Sequence, residues 1–239
     1  MIKNKGVRDY YNKYVERQQR IGVNARHHSI MQKLIDAGLL KHHKVLEIGC
    51  GIGTQSGLIL KYLSPTGALI SYDLSEKSIE IAQKKYSKHK NVQFICADLT
   101  EYNIEGAFDV IVLPDVIEHI PLEKHPILFD KLRKVLKLDG FMFIHIPFPF
   151  YQDWLHKNRP ELLQIIDQPV HLSLLSDNLT QSGFFIQELK NYSVFTKPYD
   201  YQYIVCKPLH ILNDFVDIKQ KITFWDKVKY KIRRLGQKQ

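Results

Sequence analysis

Several features that mark other protein classes are scarce in this chain of 239 residues. The three cysteines, Cys50, Cys96 and Cys206, lie far apart and form no C-x-x-C pair of the kind that binds zinc or a redox couple. We expect them to be reduced, with Cys96 and Cys206 inside apolar strands. No apolar run approaches the roughly 20 residues of a membrane-spanning helix, and the first residues lack the apolar centre of a signal peptide. The sequence therefore predicts a cytoplasmic protein, with the inner face of the membrane as an alternative location.

Negative charge is scarce at both ends of the chain. Residues 1–44 hold ten Lys and Arg against three acidic residues, and residues 219–239 hold eight against one. Each end therefore carries +7, and because the whole chain carries +9, the middle carries −5. The basic character thus belongs to the two ends and not to the central region.

The basic C-terminal end has the pattern of an amphipathic helix. Its apolar residues fall within about 100° of one another on a helical wheel, and most basic residues lie outside that stripe. This pattern is typical of a helix on an anionic membrane surface, but it also fits a helix that packs on the domain or on a second subunit. The apolar stripe contains Phe224, Trp225, Val228, Ile232 and Leu235.

Residues 44–54 combine a short apolar run with three closely spaced glycines. Gly49, Gly51 and Gly53 occupy every second position, and a helical pattern follows at once. This order predicts a strand, a tight turn and a helix, with a turn on which a ligand can lie directly against the main chain. A dinucleotide-binding G-x-G-x-x-G loop would need glycine where Thr54 stands. The spacing therefore speaks against NAD and for a different adenosine ligand.

The stretch from Glu47 to Gly53, with the sequence EIGCGIG, resembles the first motif of the class I S-adenosylmethionine-dependent methyltransferases. In that motif an acid precedes three glycines. A carboxylate suits this cofactor, which is a sulfonium cation without phosphates, whereas it would repel a pyrophosphate. The resemblance implies S-adenosyl-L-methionine as the cofactor, bound by Glu47, Gly49, Cys50, Gly51 and Gly53.

From residue 45 onward, strand patterns alternate with helical patterns, which is typical of a parallel sheet covered by helices on both faces. We predict an α/β fold: a Rossmann-like three-layer sandwich with a seven-stranded, mostly parallel sheet, an N-terminal helical extension and a basic C-terminal helix. The last two strands have no helix between them, which predicts an antiparallel hairpin at the sheet edge. The predicted strands cover residues 45–48, 68–72, 92–96, 109–113, 141–146, 184–189 and 201–206.

The chain is predicted to form a single domain over residues 1–239. Its parts are N-terminal helices in residues 1–43, a core over 44–207 with an aromatic-rich insertion at 147–170, and the basic amphipathic tail over 208–239. The predicted helices cover residues 7–20, 27–37, 55–63, 76–88 and 124–136.

Acidic residues follow the second and third predicted strands. Asp73 lies about 20 residues beyond the glycine loop, where a carboxylate can accept hydrogen bonds from ribose hydroxyls. The alternative is a helix cap, although Ser75 can take that role. The resemblance places Asp98 at the adenine amino group, with a role in the turn as the alternative. Leu74 and Leu99 are expected beside the cofactor.

The fourth predicted strand ends in a loop that holds two acids and a histidine. This loop resembles the E-x-x-E-H motif of small-molecule and lipid-quinone O-methyltransferases, including the ubiquinone-biosynthesis group, with Asp115 in place of the first Glu. The resemblance implies that Pro114 and Asp115 contact the cofactor. Because an imidazole titrates near neutral pH, His119 is predicted as the base that deprotonates a hydroxyl acceptor, and Glu118 as the group that orients it.

Two alternatives remain for this loop. His119 can instead pack against the cofactor or cap a helix. Asp115, Glu118 and His119 can also hold a divalent cation, but clustering alone is a weak metal signal, and no metal is assigned.

An Asn-x-Arg run at the start of the second predicted helix extends the resemblance to the ubiquinone type. By that resemblance Arg26 would pair with the cofactor carboxylate, which a guanidinium can bind through two hydrogen bonds. A solvent-exposed arginine on a basic helix is the alternative.

The insertion at residues 147–170 begins at the edge of the sheet where ligands bind in folds of this kind. It is predicted as a lid over the acceptor, with simple loop packing as the alternative. Tyr151 and Trp154 within it, and His171 just after it, are the predicted acceptor contacts. His145, inside the fifth strand, is expected to be a hydrogen-bonded structural residue.

The combined motifs predict an S-adenosylmethionine-dependent methyltransferase that acts on an oxygen of a small-molecule or lipid-linked acceptor. The basic ends leave an RNA ribose methyltransferase as an alternative. No Asn/Asp-Pro-Pro-aromatic motif follows the fourth strand, which speaks against methylation of flipped DNA bases. A third alternative is a non-catalytic binding protein with a methyltransferase fold. The oligomeric state is left open.

Deletion of the tail from Lys219 tests the membrane hypothesis. Because the basic residues and the aromatic stripe would bind anionic headgroups together, the full chain should cosediment with phosphatidylglycerol liposomes and the truncated chain should not. Neutral phosphatidylcholine liposomes are the control. An intact chain that stays in the supernatant with anionic liposomes would end the hypothesis.

Overall fold

A seven-stranded sheet forms the centre of the protein, and the computed structural model describes residues 2–209. The strands are β1 (Lys44–Ile48), β2 (Ala68–Asp73), β3 (Val92–Cys96), β4 (Phe108–Pro114), β5 (Leu136–Pro147), β6 (Phe184–Tyr192) and β7 (Tyr201–Pro208). Their order across the sheet is β3-β2-β1-β4-β5-β7-β6. Strand β7 runs antiparallel to both neighbours, and the other pairings are parallel.

Seven α-helices lie in the described part of the chain. They are α1 (Ile2–Ile21), α2 (Ala25–Asp36), α3 (Thr54–Tyr62), α4 (Glu76–Lys85), α5 (His125–Val135), α6 (Pro149–Asn158) and α7 (Leu172–Gln181). Asn24 caps the start of helix α2, and its side chain accepts from the backbone N–H groups of Arg26 and His27. This cap satisfies donors that a helix start leaves unpaired.

The helices cover both faces of the sheet. Helices α5 and α7 pack on one face, where Phe129 and Leu179 lie in one apolar cluster with the sheet. Helices α2 and α3 pack on the other, with Leu34 and Ile59 in a second cluster. The apolar residues of α5 recur at helical spacing, and this periodicity places its apolar face on the sheet.

The predicted fold class is confirmed, including the sheet of seven strands and the antiparallel strand next to its edge. Strand β5 begins at Leu136, directly after α5, and is longer than predicted. The insertion contains helix α6, which the sequence analysis did not predict. Cys96 and Cys206 both lie in strands as predicted, but Cys96 is exposed at the end of the edge strand β3, whereas Cys206 is buried in β7.

None of the helices in residues 2–209 is long and apolar enough to cross a bilayer. The amphipathic helix predicted for the tail falls on residues 210–239, which lie outside the described residues.

Phe129→Ala should lower the free energy of unfolding by about 3–5 kcal/mol, because it leaves a cavity in the cluster between α5 and the sheet. Phe129 is fully buried, whereas Ile127 on the same helix is 49% exposed. Ile127→Ala should therefore change stability by less than about 0.5 kcal/mol. Urea unfolding measures both, and similar losses in the two variants would contradict this packing.

Candidate functional site

A cavity of 260 Å³ opens at the carboxyl edge of the sheet, beneath α1 and the start of α2. Ligands of open α/β sheets bind at this edge, because the loops that follow parallel strands meet there. Most of the predicted cofactor residues line this cavity. They are Arg26, Gly49, Cys50, Asp73, Leu74, Asp98, Leu99, Pro114 and Asp115.

Gly49 forms the first bend of the glycine loop. Its φ is +73°, a conformation that side chains other than that of glycine rarely adopt. A Cβ at this position would lie 2.4 Å from Cγ2 of Val116. The backbone N–H groups of Gly49 and Cys50 donate to the Tyr72 carbonyl at 2.7 and 3.1 Å, which joins the loop to the end of β2.

Asp73 ties the glycine loop to the end of β2 through its carboxylate. One oxygen accepts from Gly51 N at 2.7 Å and the other from Ser75 N at 2.8 Å. Burial raises the pKa of Asp73, and these backbone donors partly offset that rise. The helix-cap alternative is not the one adopted, because the Ser75 side chain caps α4. A carboxylate can accept about four hydrogen bonds, so Asp73 retains capacity for a ribose hydroxyl, and that role stays a prediction.

Asp98 combines its turn role with a place in the cavity wall. Its Oδ1 accepts from Thr100 N at 2.9 Å and from Thr100 Oγ1 at 2.7 Å. From helix α5, Lys131 Nζ donates to the carbonyls of Leu99, Thr100 and Tyr102 at 3.3, 3.1 and 2.9 Å. The loop predicted to face adenine is therefore held from both sides.

Glu47 does not line the cavity, and this corrects the prediction of a direct cofactor contact. Its carboxylate is fully buried and accepts hydrogen bonds from Ser56 Oγ at 2.5 Å and Ser71 Oγ at 2.7 Å. Burial raises the pKa of Glu47 to about 7. Gly51 and Gly53 are not among the residues that line the cavity either. Glu47 therefore joins β1 to β2 and α3, and supports the loop from below.

Arg26 and Asp115 form an ion pair in the cavity wall, with Nη1 and Oδ2 at 3.0 Å. The Asp115 side chain is 12% exposed and that of Arg26 is 30% exposed. Burial alone would raise the pKa of Asp115, but Arg26 and then His145 outweigh it and hold the pKa at about 2. The Nε of Arg26 is shielded from solvent and has no hydrogen-bond partner among the described residues.

His119 also lines the cavity, and its two ring nitrogens have defined partners. Nδ1 lies 2.6 Å from the Ile166 carbonyl, so Nδ1 must carry the proton and donate. Nε2 then has a lone pair, which accepts from Gln164 Nε2 at 3.1 Å. Burial lowers the pKa of His119, so the ring is neutral at neutral pH.

Glu118 does not orient His119 as predicted. The closest approach, from Glu118 Oε1 to His119 Nε2, is 3.8 Å, which is too long for a hydrogen bond. Burial and then the charge of Asp115 raise the pKa of Glu118 well above its usual value. Because the His119 ring is neutral, the two groups are not an ion pair. The Ile166 carbonyl of the insertion orients the ring instead.

The predicted acceptor contacts Tyr151, Trp154 and His171 do not line the cavity. Trp154 is 49% exposed and stacks on Tyr151, and His171 Nε2 lies 3.2 Å from Asp153 Oδ2 on the surface. Helix α6 directs these aromatic side chains away from the site. The insertion reaches the cavity through Gln164, which follows α6.

Sequence reasoning missed the contribution of α1. Tyr11, Tyr14 and Gln18 line the cavity, although the sequence signalled only a helix with apolar positions. In the described residues, several buried polar atoms of the cavity wall lack a protein partner. They are Tyr11 Oη, Gln18 Oε1, Arg26 Nε, and both amide atoms of Gln55.

This set of unsatisfied groups fits S-adenosylmethionine. The cofactor carries a carboxylate, an ammonium group and two ribose hydroxyls, and an unpaired buried polar group costs free energy until a ligand satisfies it. Arg26 Nε can donate to the carboxylate, and the glutamine oxygens can accept from the ammonium group. Within residues 2–209, no group of three or more His, Cys, Asp or Glu side chains has metal-binding geometry.

Comparison with known proteins agrees with this fit. Residues 45–140 match a family described as a methyltransferase domain. The chain is also 25% identical over 123 residues to a demethylmenaquinone methyltransferase of Staphylococcus aureus strain JH9, and this match covers 50% of this chain and 50% of that protein. The chain therefore spans about half the length of the relatives that it matches in sequence.

Solved structures of methyltransferases share this fold. Magnesium protoporphyrin IX methyltransferase from Synechocystis PCC 6803, with bound SAH, superposes with a TM-score of 0.68 at 21% identity, over 84% of this chain and 98% of that chain. An S-adenosylmethionine-dependent methyltransferase from Clostridium acetobutylicum ATCC 824 gives 0.63 at 15% identity, over 84% and 99%. The predicted resemblance and the predicted cofactor are confirmed.

Gly49→Ala should destabilise the protein more than Gly183→Ala. Both glycines have positive φ, so each substitution should cost about 1–2 kcal/mol of backbone strain. Only at Gly49 would the new Cβ also clash with Val116, adding about 1–3 kcal/mol. Urea unfolding gives the two losses, and calorimetry with S-adenosylhomocysteine should show weaker binding only for Gly49→Ala. Equal effects on binding would contradict a cofactor cradle at Gly49.

Proposed function

We propose that this S-adenosylmethionine-dependent methyltransferase domain transfers the methyl group to a hydroxyl oxygen of a small or lipid-linked acceptor. The observation that carries this proposal is the lone pair of His119 Nε2 in the same cavity wall as the cofactor residues. A hydroxyl must lose its proton when its oxygen bonds to carbon, and a neutral imidazole at hydrogen-bond distance can accept that proton.

The tautomer of His119 suits this role. The Ile166 carbonyl holds the proton on Nδ1, so only Nε2 can act as the base. The Nε2 lone pair accepts from Gln164, a neutral donor that an acceptor hydroxyl can replace with a hydrogen bond of the same sense. When bound, S-adenosylmethionine supplies an electrophilic methyl carbon. Held by residues such as Arg26 and Asp73, the cofactor would give its methyl group to the acceptor oxygen and keep the carbon–sulfur electron pair on its sulfur, and His119 Nε2 would take the proton that the hydroxyl loses.

The walls of the cavity support an acceptor with a substantial apolar part. Apolar side chains from α1, α2 and the loop after β4 line the cavity together with His119. These are Val7, Ile21, Ile30, Val116 and Ile120. The name of the S. aureus relatives, demethylmenaquinone methyltransferase, supports an acceptor of the aromatic, lipid-linked kind.

His119→Ala should lower kcat by about 10²–10⁴-fold, because the variant lacks the base. Its affinity for S-adenosylhomocysteine should be retained, since the ring is not among the predicted cofactor contacts. His171→Ala is the matched control and should keep full activity, because His171 lies on the surface away from the cavity. The assay uses labelled S-adenosylmethionine with a panel of phenols, alcohols and carboxylates. A fully active His119→Ala variant would remove His119 from the mechanism.

The pH dependence follows from the lowered pKa of His119. The neutral ring is the active form, so lowering its pKa extends the active range to more acidic pH. The rate with a hydroxyl acceptor should therefore reach half of its maximum at a pH below 6.5, the usual histidine value, and should fall tenfold per pH unit at still lower pH. A rate that already falls as pH drops from 8 to about 7 would contradict this assignment.

A further inference from the structure

The geometry points to the β6–β7 hairpin as the element that positions Arg26 for the cofactor carboxylate, through the hydroxyls of Tyr192 and Tyr201 and the ring of His145. This inference rests on the cofactor site of the proposed function, but it does not depend on the acceptor. It assigns positioning roles to three residues that make no contact with the cavity.

The first link is a chain of short hydrogen bonds behind the cavity wall. Asp115 Oδ1 lies 2.5 Å from His145 Nδ1, and His145 Nε2 lies 2.6 Å from the Tyr192 hydroxyl. His145 is fully buried in β5. Because Asp115 is ionised, its Oδ1 accepts from Nδ1 of His145, and the Tyr192 hydroxyl completes the chain at Nε2.

The second link closes the arrangement on Arg26. Tyr201 stacks on His145 with ring centroids 4.9 Å apart, and its hydroxyl interacts with the Arg26 side chain. Asp115 Oδ2 holds Nη1 of the same guanidinium at 3.0 Å. Arg26 is thus held by two groups, one directly after β4 and the other in β7, and neither of them occupies Nε.

The backbone at Asp115 adds to this constraint. Its φ of 56° is the one positive value at a residue other than glycine in residues 2–209. Such conformations persist where the surroundings impose them, and they concentrate at functional sites. The Asp115 N–H donates to the His145 carbonyl at 2.8 Å, so His145 holds both the backbone and the side chain of Asp115.

A fixed guanidinium has a clear use in this cavity. An arginine side chain is flexible, and part of its binding energy is lost if the ligand must order it. Arg26 is already ordered by Asp115 and Tyr201, and its five-donor guanidinium keeps donors for an anion, the unpaired Nε among them. Affinity for the carboxylate end of the cofactor should therefore depend on tyrosines in the hairpin, at the opposite end of the sheet from β2 and β3.

The test compares two ligands that share the nucleoside but differ in the carboxylate. S-adenosylhomocysteine carries the amino-acid group, and 5′-methylthioadenosine lacks it. Tyr192→Phe and Tyr201→Phe keep the rings and remove only the hydroxyls. We expect each variant to bind S-adenosylhomocysteine about tenfold more weakly, the loss typical of one misplaced charge-assisted hydrogen bond, with unchanged affinity for 5′-methylthioadenosine.

Tyr203→Phe is the matched control. Tyr203 is on the same hairpin, but its hydroxyl donates to Glu188 and not to the chain behind the cavity. This variant should bind both ligands like the original protein. In an Arg26→Met background the Tyr201→Phe change should have no further effect, because the group that it positions is gone. In turnover assays, Tyr192→Phe and Tyr201→Phe should each raise the KM for S-adenosylmethionine and leave kcat unchanged.

The outcomes separate this inference from the proposed reaction. Equal losses for both ligands, no loss, or an additive effect in the Arg26→Met background would overturn the positioning role. Ligand-selective losses without methylation of any hydroxyl acceptor would support positioning and overturn the proposed reaction. If the unsubstituted protein does not bind S-adenosylhomocysteine, both the positioning role and the proposed reaction are overturned. Thermal unfolding of each variant confirms that the fold is retained, so a weakly binding but unfolded variant is not mistaken for support.

Discussion

The Arg26–Asp115 ion pair connects the parts of this protein that the chain keeps far apart. Arg26 comes from the N-terminal helices, Asp115 from the end of the central strand β4, and their neighbours His145 and Tyr201 from β5 and β7. Neither group would be stable as a lone ion at this poorly solvated position, because desolvation penalises an unpaired charge. The position of α2, the shape of the cavity wall and the ionised state of Asp115 therefore depend on one another.

The sequence was sufficient for the fold and for the nucleoside half of the site. Strand and helix patterns are local in the sequence, so they predicted all seven strands. Asp73 and Asp98, the acids at the ends of β2 and β3, line the cavity as expected. Glu47 was misplaced, although strand alternation could have located it. It points to the same side of β1 as Val45, towards α3, and so belongs to the core and not to the ligand.

The acceptor half of the site could not be predicted in the same way. Tyr151 and Trp154 were chosen because aromatic residues in an insertion suggest a ligand, but both lie on α6 outside the cavity lining, and the cavity receives Gln164 instead. The hydrogen-bond partners of the His119 and His145 side chains lie 30 to 47 residues away in the chain. Contacts at such separation are set by strand register and by the path of the insertion, and no local pattern encodes them.

The left-handed backbone at Asp115 limits what evolution or engineering can place there. Glycine, asparagine and aspartate tolerate this conformation best. Glycine has no carboxylate, and asparagine would leave the Arg26 charge without its counterion. The motif that this loop resembles has glutamate at this position. Here a glutamate would strain the left-handed backbone, and its extra methylene would displace the carboxylate from Arg26 and His145. In this fold, therefore, the shorter acid is not a conservative replacement but the single residue type that meets the steric and the electrostatic requirement together.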